Sequence, residues 1–333
     1  MATRLAVSNL TVELPTRNGW VRPVNEVSFT LASGETLGIV GESGSGKTIL
    51  SLALMGLTPP GARTKGEALL HLHSANGNGA AAQIKNLVAA SPAQIRALRG
   101  REIAMIFQEP MTALNPVMRI GAQIAEAVRI HEPKLREAEI RSRVLHALER
   151  ASVPEPPRRA VQYPHQLSGG LRQRVMIAMA LAAGPGVLIA DEPTTALDVT
   201  VQKQILQLLQ KLRQDLQLSL LFITHDLGVV AQIADRVAVM YAGRVVEEGP
   251  AAEVLRQPRH PYTEGLLRAA PRLDIGTLVP IPGAVPSLDT LPPGCAFGPR
   301  CTKHIPECDA RVPDLLHANG ASENHRARCI LVR

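Results

Sequence analysis

The chain has 333 residues, 45% of them apolar, enough to bury a core and to form two domains. Its 36 basic and 29 acidic side chains leave a net charge of +7, a mild excess that could face an anionic bilayer or a membrane-embedded partner. Only 2% of the residues are aromatic, which argues against a stacking platform for single-stranded nucleic acid.

Met1-Ala2-Thr3-Arg4 runs directly into strand-like alternation, with no secretory leader. Leu5 to Leu14 and Val24 to Leu31 alternate as half-exposed strands. Gly34-Glu35 turns the chain into a third apolar run, Thr36 to Val40. Next comes Gly41-Glu42-Ser43-Gly44-Ser45-Gly46-Lys47-Thr48, a complete G-x-x-x-x-G-K-[ST] phosphate loop, and Ile49 to Met55 continues as a helix. Small residues let successive N–H groups turn inward onto phosphate oxygens, at a helix N-terminus that favours negative charge. Lys47 adds a point charge for the β- and γ-phosphates, and the Thr48 hydroxyl can hold Mg²⁺.

Residues 60–100 read as irregular, and residues 73–80 as an exposed loop or insertion. Ile103 to Phe107 is a buried-strand candidate. From about 111 to 182 apolar residues recur at helical spacing, as in Ile120–Val128 and Arg141–Leu148, broken by Pro154, Pro156 and Pro157. The most apolar stretch, Val175 to Ala190, is interrupted by Gly184-Pro185-Gly186 and reads as a helix and a buried strand, not a membrane span. Strands and helices then alternate: Val187–Ala190, Val201–Leu216, Ser219–Ile223, Leu227–Ile233 and Arg236–Tyr241, with a hairpin through Ala242-Gly243 into Arg244–Glu247. Such alternation predicts an α/β fold, a mainly parallel sheet with helices on its faces. Beyond Gly249 the character changes. Residues 258–333 are rich in proline and hold all four cysteines, and they read as a separate appendage.

A phosphate loop needs a metal-holding carboxylate on a neighbouring strand. Val187 to Glu192 is an apolar strand ending in two acids: Asp191 can anchor Mg²⁺ and Glu192 can polarise a water. Ser168-Gly169-Gly170, within Leu167–Arg174, opens another apolar helix and forms a second helix N-terminus fit for phosphate. One nucleotide cannot easily use both ends from the same chain, so a second copy or paralogue is expected, each offering its Ser168 region to the other's ATP.

The phosphate loop, Gln108, the Leu167–Gln173 segment, Asp191-Glu192, Ala196-Leu197-Asp198 and His225 stand in an order that resembles the nucleotide-binding subunits of ATP-binding-cassette transporters. That resemblance implies a P-loop cassette over 1–255, with a RecA-like core, an antiparallel β subdomain and a helical subdomain at about 111–180, followed by a small Cys-containing C-terminal domain at 256–333. It implies ATP and Mg²⁺ as ligands. Lys47, Gln108, Glu192 and His225 would be catalytic, with Gln108 also sensing Mg²⁺ beside Thr48 and Asp191. Ser168, Gly169, Gly170, Gln173 and Asp198 would meet nucleotide across a dimer. An aromatic residue near the N-terminus stacks on adenine in that family; Trp20 lies in the right region, and Val21 could occupy the slot instead.

The tail narrows the resemblance. His260-Pro261-Tyr262-Thr263, Ile281–Leu288 and Pro293-Gly294-Cys295-Ala296-Phe297 are similar to the dipeptide/oligopeptide/nickel importer ATPases, as is Gln108–Pro116. This implies import of di- or oligopeptides, or of nickel or another small solute. The implied partners are a second ATPase (a heterodimer, with a homodimer still open), two integral membrane permease subunits and an external solute-binding protein. The chain would sit peripherally on the cytoplasmic face of the bacterial cell membrane. Cys295, Cys301, Cys308 and Cys329 could hold a [4Fe–4S] cluster, as in some relatives, or Zn²⁺, or remain plain thiols. A cassette ATPase of DNA repair or translation would carry a long coiled-coil insertion or two cassettes, and neither is present. A dead-site regulator is opposed by intact Lys47, Asp191, Glu192 and His225.

Overall fold

Two long strands open the chain, β1 (Thr3–Thr16) and β2 (Gly19–Ala32), paired antiparallel. The computed structural model describes residues 2–17, 19–72, 83–269 and 280–332. After β3 (Thr36–Val40) and α1 (Lys47–Leu54) come β4 (Arg63–His71), β5 (Ile84–Asn86) and α2 (Pro92–Leu98). The region read as irregular is therefore partly ordered. Its signals were weak for a reason: β4 is broken by Gly66 and carries Arg63, Lys65 and Glu67 on its exposed side, so it offers little apolar alternation. Ser91 caps α2 reciprocally with Gln94, a capping box. The loop expected at 73–80 lies outside the described residues.

β4 and β5 join β1 and β2 in a sheet ordered β2-β1-β4-β5, the antiparallel subdomain. The other sheet is built from β6 (Ile103–Ile106), β7 (Val187–Asp191), β8 (Ser219–Thr224), β9 (Arg236–Tyr241) and β10 (Arg244–Pro250) around β3. β3, β6, β7, β8 and β9 run parallel, and β10 turns back antiparallel. Every residue of β3, β6, β7 and β8 is buried, as expected for strands covered on both faces. Alternate side chains serve opposite cores. Ile103, Met105, Val187, Ile189, Leu221 and Ile223 pack with α1 and the antiparallel sheet. Ala104, Ile106, Leu188, Ala190, Leu220 and Phe222 pack against helices.

Those helices are α3 (Pro110–Ala113), α4 (Ile120–His131), α5 (Glu137–Arg150), α6 (Pro156–Ala160), α7 (Gly169–Leu181), α8 (Val199–Leu216) and α9 (Leu227–Ile233). α3 to α7 form the helical block anticipated from the periodicity. No helix among the described residues is long and apolar enough to cross a membrane.

After α10 (Ala251–Arg256) the tail carries α11 (Pro261–Ala269), and its short strands β11 (Leu316–His317) and β12 (Arg326–Ala327) extend the main sheet beyond β10. Glu247 on β10 is wholly buried and tied to this tail. It accepts the N–H groups of Arg259 and His260 at 2.6 and 2.9 Å, and its Oε1 lies 2.7 Å from His325 Nε2.

Candidate active site

β3 is fully buried up to Val40 and α1 starts at Lys47, so the intervening residues must turn sharply in little space. Gly44 and Gly46 have φ of +80° and +103°, and a Cβ on Gly46 would lie 1.8 Å from the Pro23 carbonyl oxygen. Gly46 caps α1 without any side-chain hydrogen bond, which leaves the first-turn N–H groups available to an anion. Lys47 is buried, and its Nζ donates to the carbonyls of Gly41 at 2.7 Å and Glu42 at 3.0 Å. Burial lowers its pKa, while Glu192, Asp191 and Glu42 work against that shift. The loop is thus preshaped around a cation.

Asp191 ends β7 with 1% exposure. One carboxylate oxygen lies 3.3 Å from Ser51 Oγ. The other oxygen is buried with no partner among the described residues. Burial raises the pKa of Asp191, the mark of an anion short of compensation. An orphaned carboxylate oxygen beside a hydroxyl is the hard donor set that Mg²⁺ prefers, so these residues fit that ion.

Glu192 follows with φ +45°, a left-handed conformation costly outside glycine. Its Oε2 gathers three partners: Thr195 Oγ1 at 2.9 Å, His225 Nδ1 at 3.1 Å and Gln108 Nε2 at 3.3 Å. Gln108, Glu192 and His225 lie just beyond the C-terminal ends of β6, β7 and β8, which are neighbours in the sheet. Ligands bind open parallel sheets at that end. Thr195 was not anticipated: nothing in Pro193-Thr194-Thr195 marks a hydroxyl that returns to the acid three residues before it.

Ser168 and Asp198 belong to a second grouping. Ser168 Oγ caps α7 by accepting from Leu171 N–H at 3.4 Å, and Asp198 caps α8 by accepting from Val201 N–H at 2.9 Å. The two helix starts touch: a Cβ on Gly170 would lie 2.8 Å from Val201, and one on Gly169 would lie 3.8 Å from Leu197. Ser168 and Gly169 are exposed, while Gln173 is buried with its Nε2 unpartnered. Among the described residues no side-chain hydrogen bond of this pair reaches the phosphate loop of the same chain. Trp20 is half-exposed near the start of β2, with the Arg63 guanidinium 3.9 Å above its ring; Val21 beside it is partly buried.

The four cysteines are free thiols in one part of the tail, and Cys295 N–H donates to the Cys308 carbonyl at 2.8 Å. Burial raises the pKa of Cys295, Cys301 and Cys329. Among the described residues no three Cys, His, Asp or Glu side chains are arranged to hold a metal ion. The expected [4Fe–4S] cluster or Zn²⁺ therefore finds no support in this arrangement.

A glycine-rich loop between a central parallel strand and a helix, with an acid pair on the adjoining strand system, defines a P-loop ATPase. The family model for ABC transporters matches residues 24–195, and that for the oligopeptide/dipeptide transporter C-terminal region matches residues 246–308. The chain is 49% identical to a Brucella ovis protein provisionally named a peptide import ATP-binding protein, over 98% of this chain and 96% of that one. It is 47% identical to the dipeptide transport ATP-binding protein DppD of Bacillus subtilis, over 98% and 94%. Among solved structures it resembles the dimeric ATP-binding cassette MJ0796 in a post-hydrolysis state bound to ADP and Pi, with TM-score 0.63, 27% identity, and coverage of 74% of this chain and 98% of that chain. It also resembles cbiO1 of Clostridium perfringens, part of the transporter complex cbiONQ, with TM-score 0.62, 29% identity, and coverage of 77% and 92%. The chain belongs to the ABC transporter family and is an ATPase of the cassette type.

Proposed function

We propose that this chain is the ATP-hydrolysing subunit of an importer of di- or oligopeptides. One observation carries the cargo class: a cassette and an oligopeptide/dipeptide transporter C-terminal region occur in the same chain. The names of the relatives point the same way.

In this reading the chain sits peripherally on the cytoplasmic face of the cell membrane, paired with a second cassette ATPase, probed below as a heterodimer, and with two permease subunits and an external solute-binding protein. Backbone N–H groups within the 43–48 stretch and the Lys47 ammonium hold the triphosphate. Thr48 and Asp191, with Gln108 nearby, would hold Mg²⁺, which supplies charge neutralisation on the β- and γ-phosphates. Glu192 orients the attacking water and accepts its proton, while His225 and Gln108 fix the carboxylate and face the γ-phosphate. Ser168, Gly169 and Gly170 of each subunit complete the partner's site, with Gln173 and Asp198 supporting that contact, and Trp20 or Val21 lies against adenine. Residues 1–255 carry the ATPase and residues 256–333 the family-specific tail.

The test is reconstitution with the neighbouring permease, ATPase and binding-protein genes in vesicles. ATP-driven uptake of a labelled dipeptide, lost with Glu192→Gln, supports the reading. Uptake of Ni²⁺ but not peptide would overturn the cargo class. Activity of a complex holding only this ATPase would replace the heterodimer with a homodimer.

A further inference from the structure

Glu42, the second residue of the phosphate loop, is gripped by the far end of the chain. Its N–H donates to Tyr262 Oη at 2.8 Å. Its carboxylate accepts both arms of the Arg300 guanidinium, at 2.7 and 3.0 Å. Its carbonyl accepts from Lys47 Nζ at 3.0 Å. Tyr262 lies on α11 and Arg300 lies 258 positions beyond Glu42, both in the tail.

This grip is built, not incidental. The Arg300 side chain is only 5% exposed. Its Nε donates to the Pro282 carbonyl at 2.9 Å and its Nη1 lies 3.3 Å from Tyr241 Oη. Hydrogen bonding to Glu42 raises the pKa of Arg300 further. Tyr262 is fully buried, and its ring packs 4.6 Å from Tyr241 and 5.4 Å from Phe297. A bidentate Arg–carboxylate pair fixes orientation as well as charge, which a lysine cannot reproduce.

The loop must accept a highly charged anion, yet Glu42 places a carboxylate within it. Arg300 cancels that charge, and with Tyr262 it sets the direction of the Glu42 peptide from which the following N–H groups fan out. We infer that Arg300 and Tyr262 are positioning residues for nucleotide binding, so that the tail tunes the affinity of the phosphate loop. This rests on the reading that residues 41–48 hold the triphosphate.

The experiment titrates the full-length chain with a fluorescent ATP analogue and Mg²⁺, with thermal melting as a folding control. Arg300→Ala should weaken binding about tenfold and Tyr262→Phe about threefold, as expected for loss of a partly buried charged pair and of one neutral hydrogen bond. In a Glu42→Gln background, Arg300→Ala should change affinity less than about twofold, because no charge remains to cancel. A merely structural clip would lower the melting temperature and leave these affinities alone. Wild-type affinity in Arg300→Ala and Tyr262→Phe, or an equal Arg300→Ala defect with and without the Glu42 charge, overturns the inference. If Arg300→Ala fails to fold, Arg300→Lys and Tyr262→Phe decide by the same criterion. Lys47→Ala separates the two claims: binding that survives it refutes the loop reading itself, whereas its loss alongside intact binding in the tail variants refutes only the inference.

Discussion

His225 Nδ1 stands 3.1 Å from Glu192 Oε2, joining the ends of two adjacent parallel strands across the mouth of the sheet. Glu192 is thereby held on one oxygen by three side chains from three different segments. Among the described residues its second oxygen has no such clamp. Glu192→Gln should lower ATP hydrolysis by roughly 10²–10⁴ while retaining ATP binding. Phosphate release and nucleotide titration on the assembled transporter check this, and retained turnover would remove Glu192 from its role.

Thr195 gives a sharper test of the same carboxylate. It makes the shortest of the three contacts but lies outside any recognisable motif. Thr195→Val keeps the shape and loses the donor. Hydrolysis should fall about three- to tenfold at unchanged ATP affinity, the effect of one hydrogen bond.

Asp191 exchanges stability for metal binding. Its carboxylate is buried, one oxygen has no partner, and burial raises its pKa. Asp191→Asn removes a buried charge that its neighbours compensate only in part, so the nucleotide-free protein should become more stable by about 1 kcal/mol. The stabilisation that Mg²⁺ and ATP together confer should vanish. Thermal melts with and without both ligands read the two effects in one experiment.

Gly46 tolerates no side chain. A Cβ there meets the backbone of Pro23 at 1.8 Å, and the residue holds φ +103°. Backbone cannot yield as a side-chain tip can. Gly46→Ala should cost about 3 kcal/mol in urea unfolding and abolish nucleotide binding.

His260 sets an acid limit. It is fully buried, its Nδ1 accepts the Tyr262 N–H at 3.1 Å, and burial pulls its pKa from 6.5 to about 4. The unfolded chain therefore binds a proton that the folded chain refuses between those values. Stability is unaffected above pH 6.5, declines as pH falls toward 4, and is lower by about 3 kcal/mol once the loss is complete. Unfolding curves from pH 7 to 4 should slope less steeply in His260→Gln; parallel slopes would exclude His260 as the cause.

The site was legible where chemistry is local. A run of small residues before Lys47 announces a phosphate loop without any partner in view, and the acid pair at the end of an apolar strand takes its meaning from that loop. The parallel core was legible too, since buried strands read as continuous apolar runs between helical periods. β4 escaped because its exposed face and Gly66 leave too few apolar residues to show a period. The contacts of Glu42 with Tyr262 and Arg300 escaped for a different reason: tertiary pairing across more than 200 residues leaves no spacing to read. The cysteines were the reverse case: crowding in sequence suggested a ligand set, and among the described residues no such metal-holding group is found.

β12 lies along β10, through Glu247 opposite Ala327 and Glu248 opposite Arg326, on the flank of the main sheet. Had the polypeptide stopped near residue 255, that flank would present unsatisfied peptide groups to solvent and strand its buried acid, Glu247, without His325. Bare flanks of this kind recruit strands from other molecules and seed precipitates. The terminal segment thus doubles as a selvedge, and a shortened catalytic fragment is a poor choice for handling in solution.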